Sequence, residues 1–308
     1  MLSLFNRKKK NASEGAYFPI STDIHSHILP GIDDGSPDVE TSITLIQGLI
    51  SLGIRKSIAT PHIISDMYRN NADTINNALN LLKKELARQK IKFEVSAAAE
   101  YMMDAYFFEL LQLKTPLLTI KDNLVLTEFS YASMPGSPEK MSFAIITEGY
   151  SPILAHPERY PYYYNDYKAY HKLADLGFLL QVNLLSLTGY YGKEAVKAAA
   201  YMLKNDLVSY LGTDLHHDRR PGQRLDRHRL PGHVHRGDRL ARWQRDLQRA
   251  VVELPAARQL GRAGAARRAP AAQLERAGEQ ALERLTAAVA AALAGLRITD
   301  HRAGAEHR

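Results

Sequence analysis

The chain has 308 residues, 45% of them hydrophobic, and a formal net charge of +7, enough for one large α/β domain of roughly 200–250 residues plus an extra segment. No apolar run approaches the ~20 residues that span a bilayer. Cysteine is absent, which excludes disulfides, zinc–thiolate sites and every thiol nucleophile.

The first ten residues end in Lys8-Lys9-Lys10 with no apolar stretch behind them. That is a poor secretory signal, so the expectation is a cytoplasmic protein with a basic tail over residues 1–16. From there short apolar runs alternate with helical patterns, the signature of βα units and a parallel sheet. Expected strands are Ser21–His25, Arg55–Ala59, Phe93–Ala98, Asn123–Thr127, Ser151–Ala155, Leu179–Val182 and Leu207–Leu211. Expected helices are Val39–Leu52, with Ser36 as N-cap and Pro37 in the first turn, then Ala72–Lys90, Glu139–Thr147, Lys168–Leu176 and Lys193–Lys204. Seven such strands can form an open doubly wound sheet or a closed barrel. Neither Gly-x-Gly-x-x-Gly nor Gly-x-x-x-x-Gly-Lys occurs, so nucleotide binding has no support.

Composition then changes abruptly near Arg219. Beyond it Lys, Asn, Tyr and Phe vanish, Ile298 is the single isoleucine, and Arg, Ala, Gly, Leu and Pro take over. One reading is a basic helical tail for nucleic acid or an acidic surface. The preferred reading is a shifted reading frame, because residues with AT-rich codons disappear together. On that reading most of the net charge says nothing of a partner, and no nucleic acid is expected. Leu282–Leu296 favours a helix in either case, and His228, His233 and His235 are incidental.

The chemistry-bearing residues recur at the ends of the expected strands. His25 and His27 lie two apart, so in a strand both imidazoles share a face. Behind them the Asp33-Asp34-Gly35 turn adds carboxylates. Imidazole with carboxylate suits a transition-metal ion better than calcium. The later strands end in His62, Glu100, Glu128, His156, and Asp214 with His216. In a parallel β/α barrel all strand C-termini open on one face, so ligands distant in sequence converge there. A single buried His or Glu is better read as a satisfied core group. The whole series is better read as a multinuclear metal site.

The segments Asp23-Ile24-His25-Ser26-His27, Thr60-Pro61-His62, Ala99-Glu100-Tyr101, Thr127-Glu128-Phe129-Ser130, Ala155-His156-Pro157-Glu158-Arg159-Tyr160, Gln181-Val182-Asn183 and Gly212-Thr213-Asp214-Leu215-His216 resemble the PHP superfamily. More narrowly they are similar to the bacterial manganese-dependent protein tyrosine phosphatases of capsule and exopolysaccharide gene clusters. The resemblance covers residues 17–219. It implies a distorted seven-stranded β/α barrel and a trinuclear site, with manganese expected and iron or another divalent ion as substitutes. By position the ligands would be His25, His27, Asp34, His62, Glu100, Glu128, His156, Asp214 and His216, with Glu100 bridging two ions.

Such ions bring a water toward neutral pKa, supplying hydroxide for in-line attack on phosphorus. A phenolate leaving group, with a pKa of ~10, needs less protonation than an alkoxide. A guanidinium at Arg159 can grip two phosphate oxygens, and Arg219 falls near a second family arginine of that role. The resemblance implies a phosphotyrosine substrate on a tyrosine autokinase that controls polysaccharide export. A PHP phosphoesterase for a small monoester, or a catalytically impaired metal-binding remnant, are the alternatives. Family chains continue past Asp-x-His with helices that pack on the barrel. Here residues 220–308 replace them, so a chain less stable than its relatives is expected. The tyrosines from Tyr160 to Tyr167 are read as loop packing, His217 as pointing away from the ions, and His171 as a surface residue.

Overall fold

A computed structural model describes residues 21–217. It contains nine strands: β1 (Thr22–Ser26), β2 (Lys56–Ala59), β3 (His62–Ile63), β4 (Glu94–Ala97), β5 (Glu100–Met102), β6 (Leu124–Glu128), β7 (Ser151–Ala155), β8 (Leu179–Asn183) and β9 (Val208–Gly212). Six helices join them: α1 (Val39–Ser51), α2 (Ala72–Arg88), α3 (Ala105–Gln112), α4 (Pro138–Thr147), α5 (Lys168–Asp175) and α6 (Lys193–Lys204). No helix among the described residues is long and apolar enough to cross a membrane.

The expectation of seven strands needs correction. All seven are present, but two are broken, and the strands form a three-stranded sheet β1-β2-β4 and a six-stranded sheet β3-β5-β6-β7-β8-β9. Every pairing within them is parallel. The first break falls at Thr60-Pro61, where proline has no N–H to give a ladder. Before it, Thr60 N–H donates to Ser26 O at 2.8 Å, and Ala98 N–H to Ala59 O at 2.8 Å. After it, the Pro61 carbonyl accepts from Glu100 N–H at 3.1 Å, and His62 pairs opposite Glu100. The second break, at Ala98-Ala99, mirrors the first across the pair. Beyond the last strand the sheets meet again: His27 N–H donates to Leu215 O at 2.9 Å and Asp214 N–H to His25 O at 2.8 Å.

The six-stranded sheet is apolar on both faces, as a covered parallel sheet must be. Val125, Leu154, Leu180 and Val182 pack with the helices. Leu126, Ile153 and Ala155 form a second cluster with Leu124, Leu179 and Tyr210. Helix α2 shows how the outer layer is specified. Ile75, Ala78, Leu79, Leu82 and Leu86 form one buried stripe at helical spacing, each leucine contributing about 1.5–3 kcal/mol. Asn71 and Thr74 close a reciprocal cap at its start.

Two local readings change. The N-cap of α1 is Asp38, whose carboxylate accepts from Thr41 N–H at 2.7 Å, and not Ser36. Ser36 instead donates to Asp38 O, so Pro37 precedes the cap. Helix α3 has no counterpart in the periodicity, because it buries only Phe107 and Leu111. The 1–16 tail, the 220–308 segment and the Leu282–Leu296 helix lie outside the described residues.

Candidate metal centre

Strand ends position the site. His25 lies on β1 and His27 just beyond it, Glu100 opens β5, Glu128 closes β6, His156 follows β7 and Asp214 follows β9. Two of these residues leave their strands with left-handed backbone, His156 at φ 36° and Asp214 at φ 51°. That conformation costs a non-glycine residue free energy and turns the chain sharply at the sheet rim. Tight contacts do the same elsewhere. A Cβ on Gly35 would lie 2.1 Å from His27 O, and one on Gly212 would lie 2.7 Å from His25 Cβ.

The side chains converge. His25 Nε2 and His27 Nε2 are 3.3 Å apart, and each lies 3.3 Å from Glu100 Oε2 and 3.5 Å from Asp214 Oδ1. His62 Nδ1 sits 3.3 Å from Glu100 Oε2 and 3.0 Å from Glu128 Oε1. His156 Nε2 reaches Glu100 Oε1 at 3.0 Å. Asp34 Oδ1 stands 3.5 Å from His62 Nε2 and 3.4 Å from His216 Nε2. Four overlapping groups have donor atoms spaced to surround an ion: His27/Asp34/His62/His216, His25/His27/Glu100, His25/His156/Asp214 and His62/Glu100/Glu128. Together they draw on all nine side chains expected as ligands.

The donor set fits divalent cations. His62 Nδ1, Glu100 Oε2 and Glu128 Oε1 are buried and make no hydrogen bond among the described residues, although His62 Nδ1 lies 3.3 Å from Glu100 Oε2 and 3.0 Å from Glu128 Oε1. Buried polar atoms without a partner are costly, and a cation between them removes that cost. Nitrogen with carboxylate oxygen is the ligand mixture of first-row transition metals.

A surrounding layer fixes the rings. Asp33 Oδ2 meets His27 Nδ1 at 2.8 Å, while its Oδ1 accepts from Gly35 N–H at 2.9 Å. Gln181 Oε1 meets His25 Nδ1 at 2.8 Å. Gln181 then donates to Asn183, whose amide donates to Asp214 Oδ2 at 2.7 Å. The Tyr131 hydroxyl lies 2.9 Å from His156 Nδ1. Nothing in the sequence marks Tyr131, and the carboxylates expected of the Asp33-Asp34-Gly35 turn do not tell Asp33, behind His27, from Asp34. Gln181 and Asn183 stood in the quoted motif, and their spacing of two near the end of β8 was a usable signal.

Electrostatics follow from this packing. Burial opposes ionisation of Glu100, yet His25 and His62 hold its carboxyl well below the ordinary range. Burial likewise disfavours charge on His27, but Asp33 and then Glu100 raise it well above the usual histidine value. His216 goes the other way: burial and then the neighbouring His27 lower it to about 4.

Arg159 stands at the mouth with a side chain 24% exposed. Its Nη1 donates to Asp214 Oδ2 at 2.5 Å. The guanidinium carbon lies 4.0 Å from the Tyr191 ring centre and 5.2 Å from that of Tyr131. Tyr160 and Tyr163 are buried; Tyr160 bonds Ala155 O and Phe129 N–H, and Tyr162 bonds Ser130 O, which is loop packing. His217 bonds Gly35 O and joins none of the four groups. His171 meets the Tyr201 hydroxyl at 3.1 Å. Arg219, His228, His233 and His235 lie outside the described residues.

The fold and this cluster define an α/β protein with a histidine–carboxylate centre on the C-terminal rim of parallel sheets. Residues 21–228 match the family described as capsular polysaccharide synthesis, CpsB/CapC, and the chain belongs to that family. It is 30% identical over 195 residues to the tyrosine-protein phosphatase YwqE of Bacillus subtilis (strain 168), covering 63% of this chain and 76% of that protein. It is 31% identical over 210 residues to the tyrosine-protein phosphatase CpsB of Streptococcus pneumoniae, covering 65% and 84%. Among solved structures it is similar to a chain from the crystal structures of YwqE from Bacillus subtilis and CpsB from Streptococcus pneumoniae, described as unique metal-dependent tyrosine phosphatases. That likeness has a TM-score of 0.59 and 29% identity, covering 63% of this chain and 79% of the other.

Proposed function

We propose that this chain is a metal-dependent protein tyrosine phosphatase of capsular or exopolysaccharide synthesis, acting in the cytoplasm on the phosphotyrosines of a bacterial tyrosine autokinase. The observation that carries the reading is the convergence of nine ligand-type side chains from separate strand ends, with buried donor atoms that lack hydrogen bonds, beside one stacked arginine. On this reading the two sheets act as one distorted seven-stranded barrel. Its rim would hold manganese, three ions on the family pattern, through His25, His27, Asp34, His62, Glu100, Glu128, His156, Asp214 and His216. Glu100 would be the residue shared between ions, since its Oε2 faces His25, His27 and His62 while its Oε1 faces His156.

Divalent ions in such a cage supply Lewis acidity toward phosphoryl oxygens and a water acidified toward neutrality. The chain's own residues do the rest. Asp33, Gln181 and Tyr131 orient the imidazoles, so their other nitrogens face inward. Arg159 has one amino group on Asp214 and can offer its remaining N–H donors to a phosphate at the mouth. Arg219 is proposed as a second phosphate contact.

The test is hydrolysis by the purified full chain, loaded with manganese, of phosphotyrosyl peptide, phosphoseryl peptide and small phosphate esters. Preference for the phosphotyrosyl peptide is expected. Activity on small esters alone would overturn the proposal, and a silent metal-loaded protein would identify an inactive remnant.

A further inference from the structure

Tyr131 follows β6 by three residues and is 39% exposed as a residue. It touches both halves of the proposed machinery. Its hydroxyl is 2.9 Å from His156 Nδ1, and its ring lies beneath the Arg159 guanidinium. The His156 ring directs its other nitrogen, Nε2, at Glu100. A histidine that gives Nε2 to an ion keeps its proton on Nδ1. In that tautomer Nδ1–H is the donor, and the Tyr131 oxygen must accept.

The consequence concerns the phenol's own proton. With its oxygen accepting from His156, the Tyr131 O–H meets no other acceptor among the described residues. With His156 in the tautomer of a metal ligand, that hydroxyl would be left as a free donor beside the arginine proposed to take phosphate. A neutral hydroxyl there adds a directional hydrogen bond without adding charge, and oriented donors are what phosphoryl transfer requires of a protein.

From this geometry we infer that Tyr131 is a further catalytic residue, donating its hydroxyl proton in a hydrogen bond to a phosphoryl oxygen of the substrate. The inference rests on the phosphatase reading, and it separates Tyr131 from Tyr160 and Tyr162, whose hydroxyls are taken up by loop packing. Tyr160 spends its hydroxyl on Ala155 O and Phe129 N–H, and Tyr162 on Ser130 O. Among the described residues the Tyr131 hydroxyl bonds only His156.

The experiment compares the full chain with Tyr131→Phe, which keeps the ring against Arg159 and removes only the hydroxyl, and with Tyr131→Ala. Three quantities are read after manganese loading: bound metal per chain, affinity for inorganic phosphate by calorimetry, and kcat/KM on phosphotyrosyl peptide. The expected result is metal content equal to the parent chain, with phosphate affinity and kcat/KM each about 10-fold lower in Tyr131→Phe, and a larger loss in Tyr131→Ala. Unchanged phosphate affinity in Tyr131→Phe overturns the inference. So does a metal deficit whose repair with excess manganese restores kcat/KM, since Tyr131 would then only position His156. A parent chain silent on the peptide defeats the phosphatase reading alone, because phosphate affinity still decides the role of Tyr131.

Discussion

The Asp33 carboxylate holds His27 by its Nδ1 at 2.8 Å and is itself held by Gly35 N–H and His62 N–H. One acidic side chain therefore fixes a ring, a turn and the start of β3 together. Its neighbour Asp34 faces His62 and His216 instead. Two adjacent aspartates thus take different duties, one at the centre and one behind it. Carboxylates behind ligand histidines set the tautomer and raise ligand basicity. Asp33→Asn is expected to weaken manganese binding about 10- to 100-fold, read by competition with a chelating dye. Equal affinity in the variant would show that Asp33 serves only the turn.

Removing metal should expose the site's own titration. Burial disfavours charge on His25 and His62, but Glu100 and Asp214 raise the first, and Glu128 and Glu100 the second; His27 is raised by Asp33 and Glu100. Their stabilisation is full below the ordinary value of 6.5 and is lost as pH rises through their folded values. Asp23 acts in the same sense, because burial raises it to about 6. Glu100 and Asp214 are held low, so their stabilisation is present above the ordinary values of 4.5 and 3.8 and lost below them. His216, lowered to about 4, is held neutral, so its contribution is present above 6.5 and lost as pH falls from there through about 4. The metal-stripped chain should therefore melt highest between about pH 4.5 and 6.5 and lower at pH 8. Manganese should reverse the upper slope, since it binds deprotonated imidazole. Melting curves flat from pH 5 to 8 in the stripped chain would contradict this.

Glycine contacts give a sharper structural test. At Gly35 an added Cβ would meet His27 O at 2.1 Å, His27 Cβ at 2.4 Å and Asp33 Oδ1 at 2.8 Å. The backbone beyond β1 must move to admit it, and His27 and Asp33 move with it. Gly35→Ala should cost about 1–3 kcal/mol and lower the metal content of purified protein. At Gly136 nothing lies within 4 Å of the added Cβ, so Gly136→Ala should stay within about 0.5 kcal/mol of the parent. Denaturant midpoints and bound manganese measure both. Matching losses in the two variants would refute the steric account.

Much of this was legible because parallel strands repeat one signal. Nearly every apolar run ends in a ligand-type side chain, and the pleat sends residues two apart to the same side, as for His25 and His27. The strand breaks were less visible. Pro61 announces the first, but nothing in Ala98-Ala99 announces the second, which exists because its neighbour is already broken. Helix α3 was hidden by its small buried face. Tyr131 could not be found from the chain at all, since its role depends on His156 and Arg159, which lie 25 and 28 positions away and meet it only through the sheet. Asp33 was overshadowed by Asp34, because an Asp-Asp pair does not say which carboxylate faces inward.

Lysine in place of Arg159 keeps the charge but loses the planar fork and the stacking on Tyr191. Arg159→Lys should therefore raise KM for phosphotyrosyl peptide about 10- to 100-fold with bound manganese unchanged. Arg159→Ala has a second consequence. Asp214 is buried and shares its Oδ2 between Arg159 and Asn183, so losing the guanidinium leaves a buried carboxylate short of positive charge. In the stripped chain that loss has only the histidines to offset it, and the melting temperature should fall. In the loaded chain the cations neutralise Asp214, and the fall should be smaller. The difference between the two drops separates substrate binding from charge compensation. If Arg159→Ala lowered stability equally with and without manganese, the Asp214 pairing would not be an electrostatic partner of the metal centre.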